Sequence, residues 1–193
     1  MLRRLYDWTM DLAAHRHALL ALGFISFIES SLFPVPPDVL LIPMVLAVRE
    51  RAFLIATVCT IASVLGGLFG YGIGFFLYET IGRAIVEFYG YQGAFRGFKA
   101  DFAEWGWWIV IGGGFTPFPY KIITIMSGFA ALDPFVFTAA SAVSRGVRFF
   151  LETGLLWYFG EPIRVFIETH LGNLAALFFI LILGGFVVAL VIF

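Results

Sequence analysis

Long apolar runs separated by short polar breaks cover most of the chain. Residues 1–17 set Leu2, Leu5, Trp8, Met10 and Leu12 against Arg3, Arg4, Asp7 and Asp11, the pattern of an amphipathic helix lying on a membrane surface. Residues 18–48 hold no Lys or Arg and exceed the roughly 20 residues of one crossing. Residues 52–78 carry no charge and predict a span. Residues 79–104 mix Glu79, Arg83, Glu87, Arg96, Lys99, Asp101 and Glu104 with aromatics and predict an interfacial connection. A second long run covers 105–132. A helix over 134–159 follows, with Asp133 as its N-cap and Pro134 at its first position. Residues 160–170 predict a polar loop, and 171–193 a terminal span.

Both long runs are broken at their centres. The first contains Pro34, Pro36 and Pro37, and the second Pro117 and Pro119. Each proline removes a backbone N–H and pushes the preceding residue out of helical geometry. Freed backbone groups cannot face lipid, so such segments must be buried in protein or line a wet cavity. The simplest solution is a re-entrant hairpin, in which one half-helix enters and a second returns to the same side. SLFPVPPDVLLIPMVLAV can be laid over GFTPFPYKIITIMSGFAA, so that Pro34 meets Pro117, Pro36 meets Pro119 and Asp38 meets Lys121. Paired broken segments in two halves point to a transporter-type site near the midplane.

The composition agrees. Of 193 residues, 61% are hydrophobic and 13% charged, against about 25% charged in soluble domains. The net charge of -1 excludes a basic field for nucleic acid. The one cysteine, Cys59, excludes an internal disulfide and any zinc spacing, and reads as a small buried hydrophobe. Trp8, Trp105, Trp107, Trp108 and Trp157 fall near predicted span ends, as interfacial belts require. With both long runs re-entrant, residues 1–17, 49–51 and 160–170 share one side. Its richer Arg content places it in the cytoplasm, and the C-terminus opposite.

Six ionisable residues lie deep in apolar stretches: Glu29, Asp38, Lys121, Arg145, Arg148 and Glu152. Each costs about 2.5–3.5 kcal/mol unpaired, so three acids matched by three bases predict mutual pairing. Arg145 stands about 16 Å along its helix, near mid-membrane. Arg145, Arg148 and Glu152 share one helix face, on which Arg148 is placed to pair with Glu152. Hairpins meeting tip to tip would bring Asp38 toward Lys121. Glu29 and Asp38 are the candidate proton-responsive acids. Lys121, Arg145, Arg148 and Glu152 form a candidate phosphate or substrate site, because a guanidinium offers fork-like donors. Half-helix N-termini after the prolines would add anion-favouring dipole ends. The plainer alternative is a set of structural ion pairs that hold the hairpins in place. Gly66, Gly70 and Gly74 make a small-residue stripe for close helix packing. Gly112, Gly113 and Gly114 let the incoming half of the second hairpin bend or approach a neighbour. His15, His17 and His170 have no metal spacing, and no nucleophile elbow or HExxH motif is present, so no metal, cofactor or enzyme activity is expected.

FIESSLFPVPPDVLLIP, GGLFGYGIG, GGGFTPFPYKIITIMSGFAAL and SRGVRFFLETGLLWYFG together resemble the DedA family, the bacterial branch of the SNARE-associated Golgi protein (VTT) domain. The resemblance covers residues 20–165 and is greatest to the smaller YqaA-type subgroup. Glu29 and Asp38 match the family's two acidic positions. Many members carry arginines on both sides of the second hairpin's proline. Here the positions before it are Gly112–Gly114, and the basic residue after it is Lys121. The resemblance implies a membrane protein with two re-entrant helices, and with the segments read above the expected fold is an all-α inner-membrane protein with two re-entrant hairpins in inverted repeat, about three transmembrane helices and an amphipathic N-terminal helix. It implies movement of undecaprenyl phosphate or another phospholipid across the bilayer by a flippase or scramblase, with protons as partners and membrane homeostasis as the setting. A homodimer is compatible with either. The rival expectations are a proton- or cation-coupled transporter of a small solute, and a membrane scaffold.

Overall fold

The computed structural model describes residues 17–32, 36–115 and 119–160, with Pro162. The expected surface helix over 1–16, the loop over 163–170, the terminal span 171–193, and Pro34 and Pro117 lie outside the described residues. Every regular element among the described residues is helical. In chain order these are α1 (Ala18–Ser31), α2 (Asp38–Ala47), a 3-10 turn (Arg49–Arg51), α3 (Ala52–Leu77), a π-helical turn (Tyr78–Gly82) and α4 (Arg83–Phe88). Helices α5 (Gln92–Phe115) and α6 (Tyr120–Phe129) follow, and α7 occupies 134–160.

Pro37 and Pro119 stand at the N-caps of α2 and α6, whereas Pro43 lies inside α2. Leu32 closes α1 by donating its N–H to the Ile28 carbonyl at 2.8 Å, and α2 restarts on the Pro37 carbonyl, which accepts from Leu40 and Leu41. At about 1.5 Å per residue, the 14 residues of α1 reach about 21 Å and the 10 of α2 about 15 Å. Each is short of an approximately 30 Å core. Asp133 caps α7, its Oδ1 accepting the Phe135 and Val136 N–H groups at 2.9 Å each.

The path of the chain follows from side-by-side contacts. Gly23 lies against Val58 and Ala62, Gly66 against Phe27, and Gly70 against the Ser30 carbonyl, so α1 runs parallel to the first half of α3. Ala18 and Leu22, at the start of α1, share a core with Met44 and Val45 of α2 and with Ala52 and Ile55 at the start of α3. Helix α2 therefore brings the chain back to the end where α1 began. A second hairpin mirrors the first. Gly106 faces Leu132 and Gly113 faces Ile123, so α5 and α6 are antiparallel. Gly67 and Gly70 meet Thr124, and Gly74 meets Ile125, which lays α6 along the second half of α3. The ends of α1 and α6 thus converge at the middle of α3. Helix α7 runs back along α3, from Phe137 beside Gly67 to Gly160 beside Arg49. There Arg49 donates to the Trp157 carbonyl at 2.5 Å, tying the base of the first hairpin to the end of α7.

The glycine stripe makes this convergence possible. A Cβ at Gly66 would overlap the Phe27 carbonyl, one at Gly70 the Thr124 side chain, and one at Gly74 the Ile125 carbonyl. Two hairpin backbones therefore rest directly on α3.

The connection over 79–104 is largely helical. The helix beginning at Arg49 continues to Phe88, and after a turn at 89–91 α5 descends from Gln92. No proline interrupts 52–116, and the charged residues of 79–104 sit on exposed surface apart from the half-buried Lys99, which lies over the Tyr78 and Phe95 rings, so nothing there breaks a helix. Gly90 makes the turn at φ +71°, a conformation only glycine adopts without cost. Among the described residues, one helix, Arg49–Phe88, is long and apolar enough to cross a membrane.

Candidate functional site

The convergence of α1, α3, α6 and α7 is polar. Arg145, on α7, is fully buried, and its Nη2 donates to Glu29 Oε2 on α1 at 2.8 Å. Its Nε donates to Ser63 Oγ on α3 at 2.7 Å. Ser30 Oγ donates to the same Glu29 oxygen at 3.0 Å and shares a 2.7 Å hydrogen bond with Ser63. The guanidinium lies over two rings, 4.9 Å from the centre of Tyr120 on α6 and 4.7 Å from that of Phe149. Tyr120 donates its hydroxyl proton to Ser141 at 2.5 Å. Arg145 Nη1 is buried with no hydrogen-bond partner among the described residues, which leaves donor capacity at the centre of the site.

One turn further along α7 the site opens. Arg148 Nη2 donates to Asp38 Oδ2 at 2.8 Å, and the two side chains are 27% and 23% exposed. By contrast the Arg145 and Glu29 side chains are 1% and 14% exposed. Glu152 is half-buried beside this outer pair, within electrostatic reach of Asp38, Arg148 and Arg145. Lys121 is half-buried at the start of α6, and its Nζ donates to the Leu32 carbonyl at the end of α1 at 3.4 Å. Thr124 Oγ1, one turn on, shares its one proton between the Lys121 carbonyl at 2.8 Å and the Ser30 carbonyl at 3.1 Å. The two hairpin tips are thus joined through hydrogen bonds to carbonyls that the end of α1 leaves free.

Four of the six charges expected to pair do so, Glu29 with Arg145 and Asp38 with Arg148, whereas Lys121 bonds a carbonyl. Arg148 bonds Asp38 rather than its i+4 neighbour Glu152, because α2 lays Asp38 against α7 within reach of the guanidinium. Asp38 does not reach Lys121, since each is held by another group. Asp38 also occupies the first turn of α2, so its own carboxylate meets the dipole end offered there to an anion. Pro36, Pro37 and Pro119 border the tips. The reading from sequence did not single out Ser30, Ser63, Tyr120 or Ser141. A signal for Ser63 exists: it lies three, seven and eleven residues before Gly66, Gly70 and Gly74, on the face that carries the stripe. Ser30 and Tyr120 show no such pattern.

The chain has relatives across most of its length. A protein of Haemophilus influenzae, called only an uncharacterized protein, is 40% identical over 157 residues, covering 81% of each chain. The "Uncharacterized protein HI0703 homolog" of Histophilus somni is 41% identical over 157 residues, covering 81% of this chain and 82% of its own. The chain belongs to the family of these two bacterial proteins. No family model matches it. No solved structure matches it.

Proposed function

We propose that the protein is a multi-pass protein of the bacterial inner membrane, of DedA (VTT) type, with both hairpins re-entrant. In this reading it moves the phosphate headgroup of a lipid between leaflets, with undecaprenyl phosphate or a phospholipid as substrate. Membrane embedding is supported by the outer surface. Leu20, Phe24, Ile61, Leu65, Phe69 and Phe76 all stand exposed on α1 and α3. A contiguous apolar surface of this kind is a liability in water and ordinary in lipid. Placing 18–31 and 52–77 in a bilayer from the same face makes 38–47 a return limb. Trp105 and Trp108 are then exposed aromatics near the opposite interface.

The observation that carries the headgroup reading is the pair of arginines at the hairpin tips. Arg145 is sealed inside with an unused N–H group, and Arg148 stands partly open one turn away. A phosphate arriving at Arg148 displaces Asp38 and meets a guanidinium fork suited to its oxygens. A proton taken up by Asp38 or Glu29 removes the competing charge and frees the arginine. Return of that proton restores the ion pair and expels the phosphate. Lys121, at the rim, supplies a further cation. The lipid tails remain in the bilayer throughout.

The test is headgroup translocation by the full chain in proteoliposomes, with a headgroup-labelled phospholipid or polyprenyl phosphate and an impermeant external quencher. Wild type is expected to exceed empty liposomes, and Arg148→Ala to slow translocation at least about tenfold. Equal rates for wild type and the Arg145→Ala/Arg148→Ala double variant reject the anion site. Proton-coupled flux of a soluble solute without headgroup movement favours the small-solute transporter instead.

A further inference from the structure

The two tip serines take no part in holding a headgroup, yet their hydrogen bonds have a fixed direction. Ser30 donates its hydroxyl proton to Glu29 Oε2. A hydroxyl has one hydrogen, so Ser30 must accept in its 2.7 Å bond with Ser63, and Ser63 must donate. Ser63 then accepts the Arg145 Nε–H at 2.7 Å, and Arg145 Nη2 closes the ring on the same Glu29 oxygen at 2.8 Å. The ring links α1, α3 and α7, and with Glu29 a carboxylate both of its arms run from Arg145 as donor to Glu29 as acceptor. A protonated Glu29 donating to Ser30 would turn Ser30 to donate to Ser63. Ser63 would then accept from both sides, and its own proton would leave the ring.

We infer that Ser63 is a positioning residue for the Glu29–Arg145 pair, and that with Ser30 it couples the protonation state of Glu29 to the placement of Arg145. Its hydroxyl accepts the Arg145 Nε–H at 2.7 Å and fixes the plane of the guanidinium against Glu29. The other groups around the pair do not bond that nitrogen. Tyr120 from α6 and Phe149 from α7 offer ring faces. Asp38 from α2 and Arg148 from α7 act on Arg145 through charge alone. Ser63 is fully buried on α3, the helix on which the backbones of both hairpins rest.

The role in translocation rests on the proposed function, whereas the role in positioning does not. The test is a double-mutant cycle on the full chain in lipid nanodiscs, read as Tm. Ser63→Ala in an otherwise native chain is expected to lower Tm by about 4 °C, and in a Glu29→Gln background by less than about 1 °C. A purely structural serine gives the same drop in both backgrounds, and that additive result overturns the inference. In the proteoliposome assay Ser63→Ala lowers kcat about tenfold with KM within about twofold, because an arginine out of place still binds and no longer passes its load. A non-additive Tm cycle in a protein that moves no headgroup keeps the positioning role and sinks the translocation reading instead.

Discussion

Arg145→Ala is expected to lower the stability of the protein by about 3–5 kcal/mol, the cost of stranding one partner of a buried ion pair. In a chain of this size that is a fall in Tm of about 10 °C. Glu29 would be left 14% exposed with its charged donor gone and only Ser30 still donating to it. The cavity would add to the loss, since the Arg145 guanidinium fills the space between the rings of Tyr120 and Phe149. The Arg145→Met/Glu29→Leu double variant, which removes both charges and keeps apolar volume, should recover most of the Tm while remaining unable to translocate. Thermal unfolding of the three proteins in the same detergent checks this. Equal Tm values for the single and double variants would mean that the ion pair is not the source of the loss.

The second large effect lies in the backbone contact between α3 and α6. Gly74 and Gly128 face each other across it. A Cβ on Gly74 would overlap the Ile125 carbonyl, and one on Gly128 the Tyr71 carbonyl. Neither obstacle is a flexible side chain, so α6 must move away as a unit, and with it Tyr120, Lys121 and Thr124. Gly74→Ala and Gly128→Ala are each expected to cost about 3 kcal/mol, the upper range for overpacking. Gly72 supplies the control. It lies on the same helix with nothing within 4 Å of its would-be Cβ. Gly72→Ala is expected to be neutral or to stabilise by up to about 1 kcal/mol, because alanine is the better helix former. Parallel melting curves for the three variants decide whether the stripe acts through contact or merely reflects composition.

How much of this could be read from the sequence depends on the range of the interaction. The separate helices α1 and α2, and α5 and α6, were legible because proline acts within one turn of itself. The stripe of Gly66, Gly70 and Gly74 was legible as a packing face, though what it packs against was not. The gathering of Glu29, Asp38, Arg145 and Arg148 followed from the cost of charge at depth. Their pairing did not, since it depends on how α1 and α2 are rotated against α7. That rotation decides that Arg148 meets Asp38 across the interface instead of Glu152 along its own helix. The helical course of 79–104 was left open for a different reason. Its charge density marks an interface, and polarity alone says nothing about whether the backbone stays helical through it. Ser30 and Ser63 were passed over because a buried serine acquires meaning only from the acid and the guanidinium that the fold sets beside it.

The central claim is that the chain dips into the bilayer and returns between residues 18 and 48. It is tested most directly by sidedness. Single-cysteine variants His17→Cys, Glu50→Cys and Tyr91→Cys all place the thiol on exposed surface, and the native Cys59 is buried. A membrane-impermeant maleimide applied to right-side-out and inside-out vesicles is expected to label His17→Cys and Glu50→Cys from one face and Tyr91→Cys from the other. Labelling of His17→Cys and Glu50→Cys from opposite faces would make 18–48 a full crossing and contradict the account.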